Sequence, residues 1–224
     1  MINQKNMNTK NHCGYLEIIL GSMYSGKTSR LLEIYNQCKF CDIPVSVINY
    51  ADDKRYDDVM LSTHDQKMIP CTQTYKLFSL IEEPKIDEKA VEECISNDFD
   101  NSDCSKFSDS QELTNVMHAD VVLINEGQFF PDLYDFVKFL LKEKKHIYIC
   151  GLDGDFERKK FGEILDLIPL SDKVEKLTSL CSLCKDGTPG IFSMRLTHGK
   201  EQILIGSDNY VPVCRNCYEN SYIK

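Results

Sequence analysis

The amino-acid sequence predicts an α/β fold: an open, parallel β-sheet flanked by helices and followed by a small cysteine-rich module. Three observations carry this. Short apolar runs rich in Val and Ile recur at Tyr15–Leu20, Val45–Tyr50, Val121–Ile124 and His146–Leu152, as expected of strands buried on both faces. Helix-period stripes lie between them, which makes βαβ units with ligands at the carboxyl ends of the strands. From about residue 178 the texture shifts to turn residues and paired cysteines.

A chain of 224 residues can bury one main core plus a small accessory module. Apolar content of 42% with 27% charged residues is ordinary for a globular protein, and no apolar run approaches the roughly 20 residues of a membrane span. The net charge of −9 disfavours a nucleic-acid polymer as partner. The first 14 residues are polar, so a disordered tail over 1–14 and a cytoplasmic location are expected. In a reducing compartment the eleven cysteines are free thiols or metal ligands rather than disulfides.

Along the chain, the first run leads into Gly21-Ser-Met-Tyr-Ser-Gly26-Lys27-Thr28, which fits G-x-x-x-x-G-K-[ST] at every fixed position. Leu31, Leu32, Tyr35 and Cys38 then form one helix stripe. Glycines let backbone N–H groups turn inward as an anion nest, the helix N-terminus adds its dipole, Lys27 reaches the terminal phosphates, and Thr28 can hold Mg²⁺. The loop reads as a cradle for a nucleoside triphosphate, ATP, against the plainer reading of a Gly-rich turn with a solvent-facing lysine. Cys38-Lys-Phe-Cys41 closes the helix with no second pair to complete a site and is assigned no metal. Residues 82–115 carry eleven acidic side chains against three lysines and read as a flexible acidic insertion, with a regulatory or partner-binding tail as the alternative.

After the third run, Asn125-Glu126 stands where a P-loop protein carries its metal-associated carboxylate. Glu126 can there accept the proton of an attacking hydroxyl. The alternative is a surface Glu at the turn into the next helix, which Leu133, Phe136, Val137, Leu140 and Leu141 predict after Pro131-Asp132. In the tail, Cys181-Ser-Leu-Cys184 and Cys214-Arg-Asn-Cys217 are two C-x-x-C knuckles separated by 29 residues, which can bring four thiolates to one structural Zn²⁺. Free thiols are the alternative. A redox pair is disfavoured on the expectation that neither knuckle opens a helix after a strand. His12, His64, His118, His146 and His198 are scattered, none at ligand spacing from a knuckle.

With these stretches in view, the sequence resembles the type II thymidine kinases, the cytosolic, bacterial and poxviral group. The matching segments are "ILGSMYSGKTSRL", "DKRY", "STHD", "INEGQFFPDLYDF", "GLDGDFERKKFGEILDLIPLSDKVEKLTSLC" and "VCRNCY". The resemblance implies a RecA-like P-loop kinase domain over 15–177 and a zinc-binding lasso module over 178–224. It implies transfer of the γ-phosphate of ATP to the 5′-hydroxyl of thymidine, with deoxyuridine as a further acceptor, giving dTMP for pyrimidine salvage and DNA synthesis. Glu126 then looks like the general base, and Lys27 with Arg55 the pair that neutralises the phosphoryl group. ATP would meet Gly21, Ser22, Met23, Tyr24, Ser25, Gly26, Lys27, Thr28, Asp53, Arg55, Asn125 and Gln128, with Mg²⁺. The nucleoside would meet Met23, Phe129, Leu152 and Phe156, with Gln202, Ile203, Leu204, Ile205 and Gly206 of the lasso and then Tyr210. His64 is taken as structural support. Feedback by dTTP and a homotetramer are implied in the same way.

Three features depart from the family. Asn125 stands in place of an aspartate, keeping an acceptor oxygen but not the charge, so organisation of Mg²⁺ is expected to weaken, with Asp53 as a nearby carboxylate. The spacing from Ile205 to Tyr210 is one residue short, and the acidic insertion has no counterpart. Beside the kinase stand two other readings: a non-catalytic nucleotide-binding regulator, suggested by Asn125 and the insertion, and a zinc-ribbon nucleic-acid ATPase, which the charge and the lack of a basic-aromatic stretch oppose.

Overall fold

Short β-branched runs find partners on both sides and so assemble into one sheet. The computed structural model describes residues 13–52, 60–62, 68–81, 116–197 and 209–221. In chain order these form β1 (Tyr15–Gly21), α1 (Lys27–Phe40), β2 (Val45–Tyr50), β3 (Met60–Ser62), β4 (Met68–Pro70), β5 (Thr72–Thr74), β6 (Val121–Ile124), α2 (Leu133–Lys142) and β7 (His146–Gly151). There follow β8 (Lys173–Leu177), β9 (Ser179–Leu180), β10 (Pro189–Gly190), β11 (Phe192–Arg195), β12 (Tyr210–Val213) and α3 (Arg215–Ser221), with 3-10 turns at Phe78–Leu80, Gly127–Phe129 and Ile164–Leu170. The main sheet has the order β5-β2-β6-β7-β1-β8. Every pairing in it is parallel.

Alternation along each strand divides the core into two layers. Leu16, Ile18 and Leu20 of β1 join Val122, Ile124, Ile147 and Ile149 under Phe136, Val137 and Leu140 of α2. On the opposite face Ile19, Val45, Val47, Leu123 and Cys150 pack against Leu31, Leu32, Ile34 and Cys38 of α1. Cys38 is part of this core, with its thiol pushed up to about 12 by burial and by Cys41, while Cys41 is exposed. The C-terminal strands form two small antiparallel pairs, β9 with β10 and β11 with β12.

The four predicted strands and both predicted helices are present to within a residue or two. β8 was not anticipated: as the edge of the sheet it alternates Lys173, Val174, Glu175 and Lys176 and offers no apolar run. One expectation is corrected. Cys214-x-x-Cys217 does open a helix after a strand, since β12 ends at Val213 and α3 begins at Arg215. The segment "RNCYENS" has little helix propensity, and α3 is held from outside: Arg158 Nη1 donates to Glu219 at 2.5 Å, and Tyr218 is buried among the cysteines. The tail over 1–12, the acidic insertion and the lasso residues lie outside the described residues.

Phe136 is fully buried between α2 and the sheet. Phe136→Ala is expected to cost about 3–5 kcal/mol, read from the midpoint and slope of urea denaturation.

Candidate active site at the carboxyl ends of the strands

The loop from Gly21 to Thr28 joins β1 to α1. Gly26 has φ +87°, a left-handed conformation natural to glycine, and the first turn of α1 carries neither a side-chain cap nor an acidic residue. The N–H groups at that helix end have the dipole and the donors an anion requires. Lys27 is buried and its Nζ donates to Ser22 O at 2.8 Å, folded along the loop. The loop is also fastened to the C-terminal strands: Ser22 Oγ donates to Gly190 O (2.7 Å), and Met23 N donates to Ser193 Oγ (3.0 Å).

Strand register then decides which side chains meet the loop. Ile48, Ile124, Ile149 and Ile18 pair in one row across β2, β6, β7 and β1. The next position on each strand is Asn49, Asn125, Cys150 and Ile19, so two amides and a thiol are neighbours, all essentially buried. Asn125 Nδ2 donates to Asn49 Oδ1 at 2.8 Å. Asn125 Oδ1 accepts from the Cys150 thiol at 3.0 Å and from Thr28 Oγ1 at 3.5 Å. The predicted Mg²⁺-side residues Thr28 and Asn125 are thus brought together, with the acceptor of the amide turned toward the loop. Asn49 and Cys150 carry no signal in the sequence, because only the register makes them partners.

Glu126 follows in a left-handed conformation (φ 53°, ψ 44°) and is nine-tenths buried. Gln128 Nε2 donates to its Oε2 at 2.7 Å, and Gln128 Oε1 accepts from Leu152 N at 3.0 Å. Three predicted residues therefore form one chain across the tips of β6 and β7. Beside it runs a row of rings: Tyr50 lies 5.2 Å from Phe129, and Phe129 meets Phe161 edge-on at 5.4 Å. Of these only Phe129 was expected.

Phe156 lies on the connection after β7, held at its carbonyl by the Tyr218 hydroxyl (2.6 Å). Arg195 stacks its guanidinium 3.8 Å from the Phe156 ring centroid and donates through Nε to the Tyr210 hydroxyl at 3.1 Å. Predicted Phe156 and Tyr210 are thus joined through a nearly buried arginine with no sequence signal of its own. Asp53, Arg55, His64 and Gln202, Ile203, Leu204, Ile205 and Gly206 lie outside the described residues.

The Sγ atoms of Cys181, Cys184, Cys214 and Cys217 all lie within 4.8 Å of one another. Tetrahedral thiolates at about 2.3 Å from a zinc ion are about 3.8 Å apart, so the cluster could hold such a metal with small adjustments. The cysteines differ in how readily they ionise. Burial opposes ionisation of Cys181, yet N–H groups of Cys184, Cys214 and Leu183 draw its thiol down to about 6. The Asp186 carboxylate, 3.1 Å from Cys184 Sγ, pushes that thiol up to about 12. Only a cation between the four sulfurs would let all of them ionise together.

An αβ sheet with a G-x-x-x-x-G-K-[ST] loop after an interior parallel strand, and polar groups from the tips of neighbouring strands, defines a P-loop protein. The chain belongs to the thymidine kinase family: the family model described as "Thymidine kinase" matches residues 14–98 and 88–218, two segments that meet inside the acidic stretch. It is similar to the thymidine kinases of sheeppox virus (33% identical, covering 92% of this chain and 97% of the relative) and of variola virus (34%, covering 93% and 98%). Thymidine kinase 1 of Dictyostelium discoideum is 32% identical, covering 92% of this chain and 78% of the relative.

Asn49→Leu leaves the buried Asn125 Nδ2 without its acceptor. A loss of about 1–3 kcal/mol in stability is expected, measured by urea denaturation without nucleotide.

Proposed function

We propose that the protein is an ATP-dependent thymidine kinase that makes dTMP from thymidine. The observation that carries the reading is the meeting of Thr28 and Asn125 at 3.5 Å, which sets the phosphate loop beside the strand tip that bears Glu126. The loop N–H groups and Lys27 hold the triphosphate, and Arg55 is assigned by resemblance to the same charge. Thr28 and Asn125 would hold Mg²⁺, which would offset the negative charge of the triphosphate. Glu126 accepts the proton of the nucleoside 5′-hydroxyl as that oxygen bonds to the γ-phosphorus; the bond to the bridging oxygen breaks and ADP leaves. Phe129, Leu152, Phe156 and Tyr210, with the lasso over 202–206, are proposed to enclose the nucleoside. Zn²⁺ is the proposed occupant of the cysteine cluster, in a structural role because four protein ligands leave no open position. By resemblance the proposal extends to deoxyuridine as an acceptor, to feedback by dTTP, to a homotetramer and to a cytoplasmic setting. Among the described residues no helix is long and apolar enough to cross a membrane.

A second reading, a nucleotide-binding regulator, is favoured by one observation: the amide of Asn125 brings no negative charge to the metal corner. Formation of dTMP from ATP, Mg²⁺ and thymidine separates the two. The parent protein should give product, and Glu126→Gln should lower kcat by about 100-fold or more. Absence of product from the parent, with both ligands bound, favours the regulator.

Removal of metal tests the cysteine assignment. A chelator should release one zinc per chain, lower the thermal midpoint and weaken thymidine binding, because Tyr218 beside the cluster holds the Phe156 carbonyl. Each thiolate ligand displaces a proton, so release becomes easier as the pH falls.

A further inference from the structure

Gln128 stands between the proposed base and the proposed nucleoside wall, and its surroundings fix it in one orientation. Leu152 N can only donate, so the atom 3.0 Å from it is the amide oxygen. The NH₂ group must then face Glu126, where it meets a carboxylate oxygen at 2.7 Å, a charge-assisted distance. The residue is buried, and its space is closed on two sides by glycines. A Cβ at Gly151 would lie 2.4 Å from Gln128 Oε1, and one at Gly162 would lie 2.1 Å from Gln128 O. Either methyl group would push the glutamine off its partners.

We infer that Gln128 is a positioning residue that holds the Glu126 carboxylate in the direction of the reacting hydroxyl, with Leu152 N–H as its anchor. This rests on the reading of Glu126 as general base. A carboxylate on an unrestrained side chain rotates about its last bond, and proton transfer needs an oxygen within hydrogen-bond reach in a fixed direction. Fixing Oε2 fixes the direction of Oε1. The left-handed backbone of Glu126 sets the start of the side chain and Gln128 sets its end. No other side chain satisfies both partners: glutamate would set two carboxylates together, asparagine is one methylene short, and methionine fills the space without either hydrogen bond.

The test is a double-mutant cycle of Gln128→Met and Glu126→Gln, with steady-state kinetics in both substrates. Alone, Gln128→Met should lower kcat by about 10- to 100-fold while KM for ATP and for thymidine stays within about twofold. On the Glu126→Gln background it should change the residual rate by less than about twofold, since its effect runs through the carboxylate. Parental kcat in Gln128→Met, or an equal loss on both backgrounds, overturns the inference and leaves the base reading standing. Parental kcat in Glu126→Gln overturns the base reading, and the inference with it. If Gln128→Met does not fold, Gln128→Glu serves in the same cycle. It should be slow alone, and no slower than Glu126→Gln in the double variant, where donor and acceptor have exchanged places; a further loss there overturns the inference.

Discussion

The parallel register of four strands is the constraint from which the site follows. Once Ile18, Ile149, Ile124 and Ile48 share a row, the positions just beyond them are committed to one another, and the polar ones fall on the face that α1 covers. A slip of one residue would turn Asn125 and Asn49 to the α2 side and bring Glu126 under α1. The hydrophobic pattern that secures the core therefore also secures the polar corner, and the phosphate loop inherits its position from the strand it ends.

Much of the fold was legible because the relevant signals are local. The glycine-lysine loop is a contiguous motif, and each buried strand is a short, mostly apolar run rich in Val and Ile. α2 shows its stripe plainly because one face of it lies on the sheet. β8 hid because an edge strand meets water along one side, so its charged residues are not excluded. α3 hid for a different reason: its own Glu219 and Cys217 find their partners outside it, in Arg158 and in Cys181, Cys184 and Cys214, none of which is local to its seven residues.

In the site, the residues with motif chemistry were legible and the residues that orient them were not. Lys27, Thr28, Asn125 and Glu126 follow from type and spacing. Asn49, Cys150 and Arg195 act across tertiary contacts and look ordinary in the sequence. Gln128 falls between these cases. The family resemblance grouped it with the nucleotide ligands, while its side-chain amide lies on Glu126 and Leu152. Where a backbone donor and a carboxylate are the two partners, chemistry alone dictates an amide between them, and only the fold reveals that both are present.

The place of β1 in the sheet bears on how the chain is made. Its two neighbours, β7 and β8, are the last strands of the sheet to be synthesised, and Tyr15 waits for His146, 131 positions later, before its first lateral hydrogen bonds can form. A ribosome-bound chain therefore carries a bare apolar strand and an unsupported phosphate loop through more than half of its translation. Such long-range pairing slows folding and leaves the strand open to mispairing meanwhile. The loop from Gly21 to Thr28, made well before the strands that flank β1, is among the last parts of the molecule to take shape.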